Sequence, residues 1–177
     1  MSGLHKKIEL LANVAIIVVA VLLGGVLVKR YLGPEPGRPQ APSPDRIKPG
    51  TKLSLPGVDW GRSKQTLMLV LSTNCRYCTE SAPFYQRLAR EKAGRPEVGL
   101  LAVLPQSVAE SQKYLGEHGV AVDQVTQSAP GAAYAQATPT LILVDQGGSV
   151  LDSWVGKLPA PKEDEVVNRL FGGGRGD

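Results

Sequence analysis

The two cysteines of this 177-residue chain lie three positions apart, in the segment Cys75-Arg76-Tyr77-Cys78. An apolar run precedes the segment and a helical pattern follows it, so Cys75 falls at the first turn of a helix. The unpaired N–H groups and the partial positive charge of that turn favour a thiolate, the attacking species in disulfide exchange. Cys78, one helical turn further on, can then attack a mixed disulfide at Cys75 and release its partner.

The two residues between the cysteines are expected to modulate this chemistry. Arg76 brings a positive charge near Cys75, which favours the thiolate further and makes a disulfide of the pair more oxidising. Tyr77 occupies the other position inside the motif. Glu80 lies two residues beyond Cys78 on the same helix, so its carboxylate is expected to point elsewhere, as a surface group.

Three other uses of the cysteines are possible. A zinc site needs about four ligands, and the chain adds only His5 and His118, of which His5 precedes an apolar segment long enough to cross a membrane. A structural disulfide across so short a loop would remove little entropy from the unfolded chain. A pair of inert buried thiols is the third alternative. Disulfide exchange is the interpretation we favour, and no metal or cofactor is predicted.

The elements that must hold this pair begin with strands. Two continuous apolar runs of strand length, at 67–71 and 98–104, predict strands covered on both faces. Further strands are predicted at 141–144 and 149–155, with a weaker one at 122–126. The sequence Gln146-Gly147-Gly148 predicts a hairpin turn, because glycine supplies the positive φ that such turns need.

Helical spacing separates these strands. Residues 83–92 and 163–171 have apolar residues on one side, and Ser107 with Glu110 forms a capping box that opens a helix through Glu117. His118, at the end of that helix, is expected to interact with the helix dipole. The order of strands and helices predicts an α/β domain with a mixed central sheet and helices on both faces.

The N-terminal part of the chain is apolar enough for a membrane anchor. Residues 10–28 are nearly all apolar, and as a helix they would span roughly 28 Å, the thickness of a bilayer's hydrocarbon core. A cleaved signal peptide is the alternative, but its apolar core is usually shorter, and residues 24–31 contain no small-x-small cleavage site. We expect an uncleaved transmembrane anchor, with the tail 1–9 in the cytoplasm and the domain outside.

The rest of the chain divides into a linker, a domain and a tail. Residues 29–50 contain six prolines, which favour an extended, semi-rigid linker. The globular pattern covers 51–171, and a glycine-rich tail follows at 172–177. The net charge is +4, but residues 47–177 hold fourteen basic against thirteen acidic side chains. A basic face for nucleic acid therefore has no support.

Three stretches together resemble the thioredoxin superfamily, in particular bacterial membrane-anchored thioredoxin-like proteins of the redoxin type. They are LMLVLSTNCRYC, Pro83 five residues after Cys78, and ATPTLILVDQGGSVLDSWVG. The resemblance covers about residues 51–171 and implies a thioredoxin-like fold. It also implies that Pro139 is a cis-proline beside the dithiol. Thr138 would then offer its backbone N–H and C=O to an extended substrate in β-strand fashion.

The chain departs from the family at two positions near the cysteines. Asn74 stands where members often have tryptophan, and Leu69 stands where many carry a buried acid that accepts a proton from the second cysteine. The proton acceptor for Cys78 is therefore unassigned.

The resemblance implies a thiol-disulfide oxidoreductase, held on the outer face of a bacterial cytoplasmic membrane. Its expected partners are protein dithiols or disulfides outside the cytoplasm and a redox donor or acceptor. A redoxin-type peroxidase, in which Cys75 attacks a peroxide, is one alternative. A non-catalytic assembly or chaperone module that uses the fold to hold partners is the other.

Overall fold

The computed structural model of the chain describes residues 14–19, 21, 23, 46–129 and 131–172. Met1–Pro42 and Ser43–Asp177 form two compact units, and the described residues of the first are helical. Among the residues described, no helix is both long and apolar enough to cross a membrane. The tail 1–9, residues 29–45 and much of the predicted span 10–28 lie outside the described residues, so the anchor stays a prediction.

A five-stranded mixed sheet forms the centre of the second unit. Its strands are β1 (Gln65–Val70), β2 (Val98–Leu104), β3 (Gln124–Gln127), β4 (Thr140–Asp145) and β5 (Val150–Val155). They lie in the order β3-β2-β1-β4-β5, with β1, β2 and β3 parallel and β4 antiparallel to both of its neighbours. Because β1 and β2 are covered on both faces, they have the continuous apolar runs that predicted them. The mixed central sheet is thereby confirmed.

Four α-helices connect or follow the strands. They are α1 (Arg76–Glu80), α2 (Ala82–Lys92), α3 (Val108–Glu117) and α4 (Ala160–Phe171), and short 3-10 helices lie at Trp60–Arg62 and Ala133–Ala135. The predicted capping box at α3 is present, with Ser107 and Glu110 each bonded to the other's backbone N–H. Helix α4 begins earlier than the predicted residue 163, because Pro161 is tolerated in a first turn that needs no intrahelical N–H donor.

Helices α1 to α4 all contribute their buried apolar residues to one cluster, on the face of the sheet that presents Leu67 and Leu69. The other face, with Met68 and Val70, is covered by the chain at residues 47–60 and by the 3-10 helix around Tyr134. The prediction of helices on both faces therefore holds only if the 3-10 helices are counted. The crossovers from β1 to β2 and from β2 to β3 run in one direction along the sheet. Because parallel crossovers are right-handed as a rule, this direction places both connecting helices on one side.

The hairpin between β4 and β5 contacts the chain that enters the domain. Gly148 adopts a φ of +80°, as predicted for this turn. The backbone of residues 50–53 runs antiparallel to the start of β5: the N–H of Gly50 donates to Val150 O at 2.8 Å, and the N–H of Leu53 donates to Gly148 O at 2.8 Å. The entering segment is thereby fixed to the outer edge of the sheet.

Candidate active site

The cysteine pair lies where the chain leaves the carboxyl end of β1. After Leu71 pairs with β2, the backbone turns at Ser72, whose carbonyl accepts a hydrogen bond from the N–H of Cys75 at 3.2 Å. Gln106, at the end of β2, contacts this turn twice, accepting from Thr73 N–H and donating to Ser72 Oγ, both at 3.4 Å. No pattern in the sequence points to Gln106, because this contact depends on the pairing of β1 with β2.

Cys75 is the N-cap residue of α1, with φ −99° and ψ 108°. Its sulfur accepts a hydrogen bond from the backbone N–H of Cys78 at 3.2 Å. The same thiol donates to the carbonyl oxygen of Thr138 at 3.3 Å. The Cys75 side chain is partly exposed, whereas Cys78 is buried at 1% relative exposure. Only one of the two sulfurs therefore faces an incoming molecule.

The surroundings of the two thiols shift their pKa values in opposite directions. Partial burial raises the pKa of Cys75, but hydrogen bonds with the side chains of Cys78 and Thr138 and with backbone N–H groups outweigh it, so the pKa lies below its ordinary value. Burial, reinforced by the hydrogen bond to Cys75, raises the pKa of Cys78 to about 12. Cys75 is thus the group that ionises first.

The loop before β4 forms the other side of the site. The Thr138–Pro139 peptide bond is cis, the geometry that the resemblance implied. The carbonyl of Pro139 accepts from Gly156 N–H at 2.8 Å, and the Thr140 hydroxyl donates to Ala137 O at 2.9 Å. These bonds fix the loop to the ends of β4 and β5, so the backbone of Thr138 is held beside Cys75.

The structure corrects the role expected of Arg76. Its side chain is 86% exposed, and its Nε lies 2.6 Å from the Glu80 carboxylate rather than beside Cys75. Glu80 also accepts from Lys157 Nζ at 2.8 Å, and these two hydrogen bonds, first that from Lys157, hold its pKa below the usual value. Its charge is paired with Glu80 and open to solvent, which screens it from the Cys75 sulfur. Tyr77 points outward and is 56% exposed.

The surroundings of Cys78 include apolar side chains and hydroxyl groups. Leu69 is fully buried in the cluster that also contains Cys78 and Tyr85. Burial raises the pKa of Tyr85 above its ordinary value. Thr79 of α1 faces Tyr114 of α3, and their hydroxyl oxygens lie 3.2 Å apart. His118, the C-cap of α3, meets the Tyr114 ring edge-on at 4.5 Å between ring centroids, which agrees with the expected place at a helix end.

Within the part of the chain that the structure describes, no group of three or more His, Cys, Asp or Glu side chains could hold a metal ion. The chemistry available at this site is that of two thiols with different exposure and different acidity.

Solved structures with the same architecture include proteins described as thiol:disulfide interchange proteins and a thiol-disulfide oxidoreductase. A thiol:disulfide interchange protein of the thioredoxin family from Chlorobium tepidum superposes with a TM-score of 0.55 at 17% identity, covering 71% of this chain and 98% of that one. A thiol:disulfide interchange protein from Bacteroides sp. gives 0.53 at 17% identity, covering 67% and 80%. A thiol-disulfide oxidoreductase from Bacteroides fragilis gives 0.52 at 17% identity, covering 70% and 99%. The chain has a thioredoxin-like fold.

No family model matches the sequence, and no curated protein matches it significantly. The thioredoxin-like domain is therefore recognised from its architecture. Its dithiol follows the first strand of the sheet, and its cis-proline precedes the antiparallel hairpin β4–β5. Asn74, where tryptophan is frequent in the family, is exposed next to Cys75.

Proposed function

We propose that the protein is a thiol-disulfide oxidoreductase that exchanges disulfides with other proteins through Cys75 and Cys78. The observation that carries the proposal is the asymmetry of the pair. Cys75 is partly exposed with a lowered pKa, whereas Cys78 is buried with a raised pKa and its N–H donates to the Cys75 sulfur at 3.2 Å. An attacking thiolate and a protected second thiol are the two parts that disulfide exchange requires.

The proposed cycle begins when the Cys75 thiolate attacks one sulfur of a partner disulfide. A bond forms between Cys75 and that sulfur, and the partner's other sulfur leaves as a thiolate. Cys78 then loses its proton and attacks the Cys75 sulfur, which closes the Cys75–Cys78 disulfide and releases the partner in its reduced form. Run in reverse, the same steps oxidise a partner dithiol.

The loop containing Thr138 and Pro139 is the proposed substrate cradle. The Thr138 carbonyl already lies within hydrogen-bonding distance of the Cys75 sulfur, at 3.3 Å. An extended partner peptide that delivers a disulfide to Cys75 would pass this backbone and could pair with it as an added strand. Arg76 and Tyr77, both exposed, would border the same approach.

We also propose that the domain works outside the cytoplasm, tethered to a bacterial membrane by residues 10–28 through the linker 29–50. The length and apolar character of residues 10–28 support this placement. The cysteine pair supports it too, because disulfides persist in the oxidising environment outside the cytoplasm. The partners would then be extracytoplasmic protein thiols or disulfides, with a second redox protein to restore the starting state. Cell fractionation with protease treatment of intact spheroplasts tests the placement, and a domain that remains protected would contradict it.

The function is tested with the full chain in mild detergent. Reduced protein is expected to accelerate the reduction of insulin by dithiothreitol, and Cys78→Ser is expected to accumulate a covalent insulin adduct that dithiothreitol releases. Cys75→Ser is the matched control, since it keeps one thiol of the pair but only the buried one. Absence of both the acceleration and the adduct would exclude disulfide exchange. Consumption of hydrogen peroxide without insulin reduction would favour the peroxidase alternative, and partner binding without any adduct would favour a chaperone or assembly module.

A further inference from the structure

Gln106 is a partly buried residue that follows β2, and the cycle above gives it no task. Its side-chain amide contacts the turn after β1 with both of its polar atoms. The Oε1 atom accepts a hydrogen bond from the N–H of Thr73, and Nε2 donates to Ser72 Oγ, each at 3.4 Å. An amide that meets one donor and one acceptor of the same turn restricts that turn at two points.

The backbone around Gln106 is itself held in place. The Gln106 carbonyl accepts a hydrogen bond from the hydroxyl of Ser111, which is fully buried, at 3.5 Å. The carbonyl of the preceding residue, Pro105, accepts from Gln127 Nε2 at 2.8 Å. The following residue, Ser107, is the N-cap of α3. The Gln106 side chain therefore extends from a fixed segment and ties it to the turn after β1.

The turn that Gln106 holds contacts both cysteines. The Ser72 carbonyl accepts from Cys75 N–H at 3.2 Å, and Leu71, just before Ser72, is packed in the same buried cluster as Cys78. Burial, followed by the hydrogen bond to Cys75, raises the pKa of Cys78, and a hydrogen bond from the Ser72 backbone lowers it. A backbone group lowers the pKa of a thiol by donating to the thiolate, so the group concerned is the Ser72 N–H.

This N–H matters most once a partner is bound to Cys75. The bonded Cys75 sulfur then carries no charge, but the burial that disfavours the Cys78 thiolate remains. A donor directed at the Cys78 sulfur stabilises the thiolate that must attack. Tyr85 and Tyr114 are the tyrosines whose charges would act on Cys78, and burial raises the pKa of both. Both therefore stay neutral near pH 7 and leave this task to the backbone donor.

We propose that Gln106 is a positioning residue of the resolving step: it holds the turn after β1 so that the Ser72 N–H points at the Cys78 sulfur. The role rests on the proposed function. In this step the Cys78 proton leaves to solvent, the Cys78 sulfur bonds to the Cys75 sulfur, and the partner sulfur departs with the electron pair of the broken bond. Gln106 exchanges no proton and acts through Ser72.

Stopped-flow mixing of 5,5′-dithiobis(2-nitrobenzoate) with an excess of the reduced full chain, in mild detergent, separates the two halves of the cycle. The first thionitrobenzoate released reports the attack of Cys75. The second reports the attack of Cys78 on the mixed disulfide, and its rate is independent of protein concentration because the attack is intramolecular. Both phases are followed from pH 5 to 9 for the natural protein and for three variants.

The variants separate the turn from the rest of the loop. Gln106→Met keeps the length of the side chain and removes both hydrogen bonds to the turn. Ser72→Ala removes the hydroxyl that Gln106 contacts but keeps the Ser72 N–H. Gln127→Met is the matched control, because it removes a glutamine hydrogen bond to the neighbouring Pro105 carbonyl and leaves the turn unchanged.

In Gln106→Met the second phase should slow about fivefold and its pH profile should move to higher pH, because a hydrogen bond to a charged sulfur is weakened. The first phase should stay unchanged, since the hydrogen bonds that outweigh burial and lower the pKa of Cys75 come from α1 and Thr138. Ser72→Ala should act in the same direction but less, because the bond to Thr73 remains. Gln127→Met should change neither phase.

An unchanged second phase in Gln106→Met, or an equal slowing of both phases, would overturn the positioning role and leave the proposed function intact. A second phase slowed equally in Gln127→Met would also overturn it, because a general loosening of the loop would then explain the effect. If the natural protein released no second thionitrobenzoate, the exchange function itself would fail, and this outcome is visible before any variant is compared.

Discussion

The Cys75 sulfur lies 3.3 Å from the carbonyl oxygen of Thr138, so two loops separated by 63 residues meet at one atom. The first loop follows β1 and the second precedes β4, which are neighbours in the sheet. The sulfur is also bonded by Cys78 N–H from within its own helix. Its hydrogen-bonding environment is therefore set jointly by the helix terminus and the proline loop, and each can be altered separately.

Alkylation should show that Cys75 ionises more readily than an ordinary thiol. Its pKa lies below the ordinary 9.0, because its hydrogen bonds outweigh the effect of burial. The iodoacetamide rate should therefore reach half of its plateau below pH 9.0. In Cys78→Ala the midpoint should move upward, since the hydrogen bond with Cys78 is the largest of the influences that lower it. A midpoint that stays in place would show that Cys78 does not stabilise the thiolate.

Removing the positive charge of Arg76 should leave that midpoint where it is. The guanidinium is largely exposed and paired with Glu80, so the charge that Arg76→Gln takes away is screened from Cys75 by solvent and by that carboxylate. Lys157→Gln is the matched control, because it removes the other cation bound to Glu80. The same alkylation profiles measure both variants. A clear upward shift in Arg76→Gln alone would restore the role expected from the sequence.

The buried thiol of Cys78 should weaken the fold at alkaline pH. Its pKa is about 12 when folded and 9.0 when unfolded, so above pH 9.0 the unfolded state loses this proton first. Stability is fully present below pH 9.0, and each pH unit above it lowers the free energy of unfolding by about 1.4 kcal/mol until the folded state also ionises.

Urea unfolding of the reduced protein between pH 8.5 and 10.5 measures this loss. Cys78→Ala should lack this part of the decline, whereas Cys75→Ala should keep most of it, since burial is the main cause of the shift at Cys78. Equal slopes in the natural protein and in Cys78→Ala would contradict the prediction.

Gly148 should be the least replaceable of the glycines at positive φ. An added Cβ would lie 3.0 Å from Trp60 Cδ1 and 3.1 Å from Leu53 O, in addition to the strain of a φ of +80°. Gly148→Ala should therefore cost about 2–4 kcal/mol of unfolding free energy.

Gly57→Ala provides the comparison, because Gly57 has a φ of +75° but nothing within 4 Å of an added Cβ. It should cost about 1 kcal/mol, from backbone strain alone. Urea denaturation at pH 7 measures both variants. Similar losses for the two would mean that the contacts with Trp60 and Leu53 relax at little cost.

Local sequence signals predicted the buried elements best. Strand β2 has the predicted bounds, because burial on both faces requires an uninterrupted apolar run. Strand β1 begins two residues before its apolar run, at Gln65, whose side chain donates to Leu170 O at the far end of the chain. A contact between residues so far apart in the chain produces no pattern in the sequence around Gln65. The 3-10 helices were missed for the same reason, since three residues carry no periodicity.

The site was predictable where its residues are defined by spacing. Cys75 and Cys78 follow from their spacing and Pro139 from the family resemblance, and the structure places the cysteine pair beside the cis Thr138–Pro139 bond. Gln106 has no such signal, because it reaches the turn before Cys75 only through strand pairing. The exposure of Arg76 could not be predicted either, because the sequence does not show in which direction its side chain points or with which carboxylate it pairs.

The hydrogen bonds between residues 50–53 and the start of β5 also affect how molecules of this protein meet. An outer strand with free N–H and C=O groups invites pairing with another chain and, through it, aggregation. Here part of that edge is occupied by the protein's own entering segment, and the opposite edge is the four-residue β3, too short to template a long ladder. Proteolysis before residue 47 would spare this protection, whereas a cut just after Leu53 would remove it and leave β5 open to a second molecule.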